Sequence, residues 1–580
     1  MKMEKIHLTI DGQRVEAARD QTVLEAAQAA GINIPTLCYC PNTKPTGACR
    51  VCLVEVEGMR NLVTSCTLPV AEGMVVKTST PRIREARRGI VELLLSDHPA
   101  ECLTCSRSGS CELQNVAQDL AVREIPYSGA MGDRPFDDNN PSIVREMSKC
   151  IFCRRCIDVC SQVQEVSALG AIGRGFETQI GPAFGDELGQ VACALCGQCV
   201  LVCPTGALSE KDSTREVWKA LADPEKFVVV QVAPAIRTTI GEEFGLEPGT
   251  PLVGELVEGL RRLGFDKVFD TDFAADLTII EEGTELLQRL ETGGTLPLIT
   301  SCSPGWVKYC EHFFPELIPN LSTCKSPQEM FGAVMKNWYA KKHNLDPEKI
   351  FVVSIMPCTA KKFEIARPEL ATTGAPDVDA VLTTRELAKM FKEAGIQLPK
   401  LPKSEFDQPL GESTGAAVIF GTTGGVMEAA LRTVYEKVTG ETLKEIEFTQ
   451  VRGLDGIREA EVDLAGKKVR LAVAHGLGNA RKLLERIVKG EGDYTFVEIM
   501  ACPGGCIGGG GGPRPTDQER RKKRAEALYQ LDRDLPLRKS HENPAIQALY
   551  KDLGEPGGEL AHKLLHTHYQ SRACGCNCQE

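Results

Sequence analysis

The chain has no run of apolar residues long enough to cross a bilayer, which excludes a helical membrane protein. Its first eleven residues carry no apolar signal core and read instead as a strand, so export to an oxidising compartment is not expected. Positive charge is not in excess: 67 Lys and Arg against 79 Asp and Glu leave a net charge of −12, which argues against nonspecific nucleic-acid binding. No G-x-G-x-x-G loop stands out, so diaphorase chemistry is not assigned to this chain. The glycine run at 508–512 lacks the Lys-Ser/Thr ending of a phosphate-cradling loop. Neither nucleic acid nor a membrane is expected as a partner.

Cysteine is abundant, with 25 in 580 residues. In a reducing cytoplasm, the expected location, clustered thiols mean metal rather than disulfides. Cys150, Cys153, Cys156 and Cys160 have the spacing C-x2-C-x2-C-x3-C, and Cys193, Cys196, Cys199 and Cys203 repeat it ahead of Pro204. This is the two-cluster bacterial ferredoxin pattern, in which the fourth cysteine of each run ligates the other cluster. One 4Fe–4S cluster is expected on Cys150, Cys153, Cys156 and Cys203, the other on Cys193, Cys196, Cys199 and Cys160. Structural zinc favours paired C-x2-C units over such triplets.

Two further groups precede the repeat. Cys38, Cys49, Cys52 and Cys66 lie among short strand-like pieces at 6–10, 53–56 and 74–78 and a helical stretch at 22–30, and only partly match plant-type ferredoxin spacing. They resemble the 2Fe–2S domain at the front of complex I large iron–sulfur subunits, with Cys40 a spare thiol. His98, Cys102, Cys105 and Cys111 follow a helical segment at 83–96, and by spacing suit zinc or an iron–sulfur cluster equally. The neighbouring clusters favour 4Fe–4S, because a redox-inert ion would interrupt an electron chain. A similar His-plus-three-Cys block stands in complex I and in FeFe hydrogenases. A loop at 127–141, rich in Gly, Pro, Asp and Asn, separates it from the repeat.

Beyond residue 225, apolar β-rich runs (227–233, 277–280, 350–355, 417–420, 469–473) alternate with helical patterns, predicting an α/β domain with buried strands. A charged helical tail follows Pro513, with 520–524 expected to be a solvated face. The fold class is a multidomain α/β and α+β chain: a β-grasp 2Fe–2S domain (1–80), a small His/Cys cluster domain (81–126), a two-cluster bacterial ferredoxin domain (141–212), a large α/β catalytic domain (225–513) and a C-terminal helical tail (514–580).

Three separated motifs lie in the α/β part: Thr300-Ser301-Cys302-Ser303-Pro304-Gly305-Trp306, Met356-Pro357-Cys358-Thr359-Ala360-Lys361-Lys362-Phe363-Glu364, and Glu498-Ile499-Met500-Ala501-Cys502-Pro503-Gly504-Gly505-Cys506. Together with the upstream blocks they resemble FeFe hydrogenases over nearly the whole chain. The resemblance implies reversible H2 production and oxidation (2H⁺ + 2e⁻ ⇌ H2) at an H-cluster, a 4Fe–4S cubane joined to a diiron subsite carrying CO, CN and a bridging dithiolate. It implies cubane ligation by Cys358, Cys502 and Cys506 and by a residue of the first motif, with Cys506 bridging to the diiron unit. Lys361 would meet the cyanides, and Met356, Met500, Ser303, Pro327, Gln328 and Glu364 would line the cofactor. In all, the chain would carry one 2Fe–2S cluster, three accessory 4Fe–4S clusters and the H-cluster.

One departure matters: the family's first motif has two adjacent cysteines, of which the pre-proline one ligates and the other relays protons. Here Ser303 precedes the proline. Cys302 as fourth ligand is favoured because serine binds iron poorly at its ordinary pKa. The strict register would make Cys302 the relay and Ser303 the ligand. Glu282, Glu285 and Arg289 share one helical stripe, and by resemblance carry protons together with Ser322.

Ferredoxin is the implied electron partner, with NADH-oxidising flavoprotein and thioredoxin-like iron–sulfur subunits in larger assemblies and maturation proteins for the cofactor. The alternatives are a non-catalytic iron–sulfur electron-transfer or assembly protein, and an H2 sensor. Cys310 and Cys324 read as buried small hydrophobes, and Cys574, Cys576 and Cys578 as a terminal segment binding metal adventitiously.

Overall fold

The computed structural model describes residues 5–572 except 133, 373, 444 and 465, so the three terminal cysteines lie outside the described residues. At the N-terminus, strands Lys5–Ile10 and Gln13–Ala18 form a hairpin across Asp11-Gly12, whose φ angles of 49° and 83° match the twist a two-residue turn requires. Val75–Lys77 lies parallel to the first strand and completes a five-stranded sheet with Leu53–Val56 and Val63–Thr64. Helix Val23–Ala29 starts at a reciprocal Thr22–Glu25 capping box and buries Val23, Leu24, Ala26 and Ala27. This is the arrangement expected of a β-grasp domain. The strand Gln13–Ala18 escaped the sequence reading because it buries only Val15 and Ala17.

The catalytic region holds two four-stranded sheets. In the first, Lys267–Asp270, Phe227–Val232, Ile350–Ile355 and Ala380–Leu382 are all parallel. In the second, Leu298–Ile299, Phe496–Met500 and Lys467–His475 are parallel, and Ile457–Leu464 closes the edge antiparallel. Each cysteine motif leaves the carboxyl end of a parallel strand: 300–306 after Leu298–Ile299, 356–364 after Ile350–Ile355, and 501–506 after Phe496–Met500. Strand ends are where open α/β sheets leave a crevice for ligands.

Three expectations fail here, each for a physical reason. Residues 277–280 are not a strand but the middle of helix Thr271–Thr292, capped by the Asp270 side chain and ended by Gly293 at φ 71°. That stretch is buried on every side, which erases the helical period from the sequence. Residues 417–420 are likewise helical, within Gly415–Val418 and Ile419–Gly421, and wholly buried. The basic cluster at 520–524 is not simply a solvated face: Arg524 is fully buried, with Nε and a terminal nitrogen on Glu242 at 2.6 and 2.8 Å and another on the Ile507 carbonyl at 2.7 Å.

The tail from 518 packs on the catalytic region through helices Gln518–Asp534, Pro544–Leu553 and Glu559–Leu565. Removing one partner of a buried ion pair costs about 3–5 kcal/mol. Arg524→Ala is therefore expected to lower the thermal midpoint clearly, whereas exposed Lys522→Ala should stay within about 0.5 kcal/mol of the parent in the same melts.

Candidate active site and electron path

At the strand ends lies a cavity lined by Cys302, Ser303, Cys358, Cys502 and Cys506, with Pro327, Gln328, Met356, Lys361 and Met500 around them. The three motifs are thus brought to one chamber. Burial pushes the Cys506 thiol up to about 12 and those of Cys302 and Cys502 well above their ordinary value, so these thiols ionise only with a cation beside them. An iron–sulfur cage fits that donor set.

Glu364 does not face the cavity directly but holds Lys361. Nζ of Lys361 donates to Glu364 at 2.6 Å, to Ser326 Oγ at 2.7 Å and to the Cys302 carbonyl at 3.2 Å. Burial alone would neutralise this lysine; the Glu364 carboxylate outweighs it and keeps the ammonium charged. Gln328 donates to Glu364 at 2.8 Å, and its Oε1 is buried without a partner among the described residues. Sequence reading missed Ser326, whose only signal was its place beside Pro327 and Gln328.

Cys302 packs beside the Met500 cluster, and Glu282 and Lys361 are its foremost charged neighbours. Ser303 Oγ accepts the Ala501 N–H at 3.2 Å. Glu282 is buried, hydrogen-bonded to Ser322, and has Oε2 unpartnered among the described residues; burial raises its carboxyl to about 8. Ser322 Oγ reaches Glu285 at 3.4 Å, and Arg289 binds the same carboxylate at 2.6 Å before touching the Thr295, Pro319 and Leu321 carbonyls. The predicted stripe, with Ser322, therefore forms one continuous set from beside Cys302 to a part-exposed guanidinium. Glu498, absent from the sequence reading as a site residue, is a buried charged neighbour of Cys302 and Cys506, raised to about 6 by burial, against the Met427 and Gly424 N–H bonds it accepts.

The upstream cysteines also gather as their spacing predicts. Cys150, Cys153, Cys156 and Cys203 line one cavity, and Cys160, Cys193, Cys196 and Cys199 another. His98, Cys102, Cys105 and Cys111 line a third. His98 Nδ1 is buried without a partner among the described residues, and burial lowers the ring's pKa toward the neutral, ligating form. Cys38 is within hydrogen-bond reach of Cys49 and Cys66, and Cys52 of Cys66, whereas Cys40 is not in that set. All four donor sets fit iron–sulfur clusters.

The cavities adjoin. Cys38, Cys49, Cys111 and Cys153 share one apolar cluster, and Cys105 lies against Gly206, three residues past Cys203. Cys196 lines both its own cavity and the catalytic chamber. The glycine run does more than admit a cofactor: Gly509 abuts the Pro357 carbonyl and Gly510 that of Cys196, far too closely for a β-carbon. Gln164 and Gln198 donate to the Ala501 and Gly508 carbonyls, both at 2.9 Å.

Fold and cysteine cages together define an iron–sulfur oxidoreductase. Residues 226–510 match the C-terminal domain of the iron only hydrogenase large subunit, and 518–572 the iron hydrogenase small subunit. Residues 3–81 match a 2Fe-2S iron-sulfur cluster binding domain, 87–126 the iron-sulfur binding region of NADH-ubiquinone oxidoreductase-G, and 140–209 the ferredoxin-like domain of NADH-quinone oxidoreductase subunit 3. The chain is 53% identical to the NADP-reducing hydrogenase subunit HndD of Solidesulfovibrio fructosivorans over 98% of its own length and 100% of that protein's. It is 42% identical to iron hydrogenase 1 of Clostridium pasteurianum, covering 97% of this chain and 99% of the relative. The solved apo FeFe-hydrogenase HydA1 from Chlamydomonas reinhardtii superposes with a TM-score of 0.57 at 47% identity, covering 63% of this chain and 100% of that one. The chain belongs to the FeFe hydrogenase family, as a large subunit with complex I-like N-terminal iron–sulfur domains, and its activity is reversible H2 production and oxidation with an iron–sulfur electron relay.

Iron analysis and paramagnetic resonance on anaerobic protein should find five iron–sulfur centres per chain, one 2Fe–2S, three accessory 4Fe–4S and the H-cluster cubane; zinc at His98 would refute that assignment. His98→Ala should alter one accessory signal, leave the H-cluster assembled, and lower activity with a physiological donor far more than with an artificial dye.

Proposed function

We propose that protons move between solvent and the catalytic chamber along Arg289, Glu285, Ser322 and Glu282, while electrons pass through the four accessory sites to Cys196 and the H-cluster cubane. The observation that carries this reading is that both routes end at one chamber: Glu282 is the foremost charged neighbour of Cys302 in the chamber wall, and Cys196 lines the same chamber. When bound, the diiron unit would supply the open iron position at which protons and electrons combine. The chain supplies the rest. Lys361, kept charged by Glu364, holds a positive charge toward the anionic cofactor, and Met356 and Met500 pack softly around it. A neutral Glu282 is a proton donor and acceptor matched to working pH.

Cys302 is proposed as the fourth cubane thiolate, joining Cys358, Cys502 and Cys506, because serine ionises too poorly to replace it. Its proximity to Glu282 favours the second reading, in which Cys302 relays protons and Ser303 ligates. Residence in the cytoplasm, ferredoxin as donor, and assembly with nicotinamide-linked flavoprotein and thioredoxin-like iron–sulfur subunits follow as proposals. The similarity to an NADP-reducing hydrogenase subunit supports the last. Maturation proteins would build the CO, CN and dithiolate ligands.

Cys302→Ala separates the two readings. Loss of the cubane signature marks a ligand; intact CO and CN infrared bands with turnover gone mark a relay, and Ser303→Ala should then disturb the cluster instead. Glu282→Gln should keep those bands and lose activity by about 10²-fold or more. Because burial holds the Glu282 proton to about pH 8, H2 evolution by the parent should fall as pH rises through that value. The residual activity of the glutamine variant should lack that limb, and an unaffected rate would sink the route.

A further inference from the structure

Cys324 is not the inert thiol its sequence context suggests. It is fully buried, and its Sγ lies 3.9 Å from Glu285 Oε2. His566, from the C-terminal tail, stands close to the same carboxylate. One ligand atom each from Glu285, Cys324 and His566 falls within 4.8 Å of the others. A tetrahedral zinc with bonds of about 2.0–2.3 Å would set them roughly 3.4–3.8 Å apart, so side-chain shifts of about 1 Å would close the site.

The surroundings are built for such an ion. His566 Nε2 faces Glu281 Oε2 at 3.1 Å, and Glu281 is fixed by the Gly557 N–H at 2.9 Å and by Tyr550 Oη. A carboxylate on one ring nitrogen is the usual support for a histidine that ligates through the other. The other, Nδ1, meets Thr323 Oγ1 at 2.7 Å, and that hydroxyl lies 3.0 Å from Glu285 Oε2, placed to serve as a fourth ligand. Arg289 occupies Glu285 Oε1, and the Thr323 N–H at 3.0 Å and Ser322 Oγ at 3.4 Å complete the contacts of Oε2. Backbone pairing across Lys325 N to Leu565 O at 2.8 Å and Thr567 N to Thr323 O at 2.7 Å holds the two segments in register.

We propose that Glu285, Cys324 and His566 form a site for a borderline-soft divalent cation, Zn²⁺ being the fitting ion, and that its occupation blocks the proton path. The block rests on the proton path proposed above; the site does not. The cation replaces the Cys324 thiol proton, which leaves to solvent, and carboxylate and thiolate together neutralise the ion. Glu285 Oε2, once bonded to metal, no longer accepts from Ser322, so the chain of proton carriers is cut at that atom.

The test adds zinc chloride to matured holoenzyme, counts bound zinc and records its X-ray absorption. The parent should hold one zinc more than Cys324→Ala, with a sulfur ligand at about 2.3 Å. Dye-linked H2 evolution in the parent should be inhibited and recover on chelation, and Cys324→Ala and His566→Gln should each need at least tenfold more zinc for half inhibition. Equal zinc and equal sulfur ligation in the parent and Cys324→Ala would overturn the site. A sulfur-ligated zinc that leaves the rate untouched would uphold the site and overturn the block together with the proton path. Should His566→Gln fail to fold, Cys324→Ala carries the comparison.

Discussion

The contact between the glycine run and its neighbours governs this molecule. Gly509 lies against the Pro357 carbonyl and Gly510 against that of Cys196, at separations no side chain permits. Three parts of the chain remote in sequence meet there: the turn carrying Cys502 and Cys506, the turn carrying Cys358, and the second ferredoxin run. Because backbone touches backbone, the Cys196 cavity and the catalytic chamber share a wall. A β-carbon at either glycine would part the cysteine cage and lengthen the last electron step together.

Burial then sets the electrostatics. The same low dielectric that keeps Glu282 protonated would discharge Lys361 were Glu364 and Ser326 not packed on its ammonium. Cys302 therefore has both a neutral acid and a charged base beside it. The tail contributes as well: Arg524 clamps Glu242 and the Ile507 carbonyl beside Cys506, and His566 meets Glu281 and the Thr323 hydroxyl. The segment that matches a hydrogenase small subunit is thus part of the site's support rather than an appendage.

Where sequence reasoning failed, environment was the cause. The apolar stretch at 277–280 looked like a strand because that part of helix Thr271–Thr292 is buried throughout, so no exposed face marks its period. Arg524 looked solvated because its acidic sequence neighbours are Asp517 and Glu519, while its real partner, Glu242, is 282 residues away. Cys324 looked like filler because nothing nearby in sequence announces Glu285 and His566. Conversely, the stripe of Glu282, Glu285 and Arg289 was legible, since i, i+3 and i+7 fix a shared helix face whatever surrounds it.

The sequence by itself determined the cofactor class, the grouping of the cysteines and the family. Cluster ligation needs thiols at short fixed spacings that a local turn brings together, and such spacings survive in one dimension. Tertiary structure alone decided the order of the cavities, the sharing of Cys196 between two of them, the charge states of Glu282 and Lys361, and the company of Cys324. Those depend on burial and on contacts between distant segments, and a linear pattern carries neither the dielectric around a group nor the identity of a neighbour hundreds of residues off.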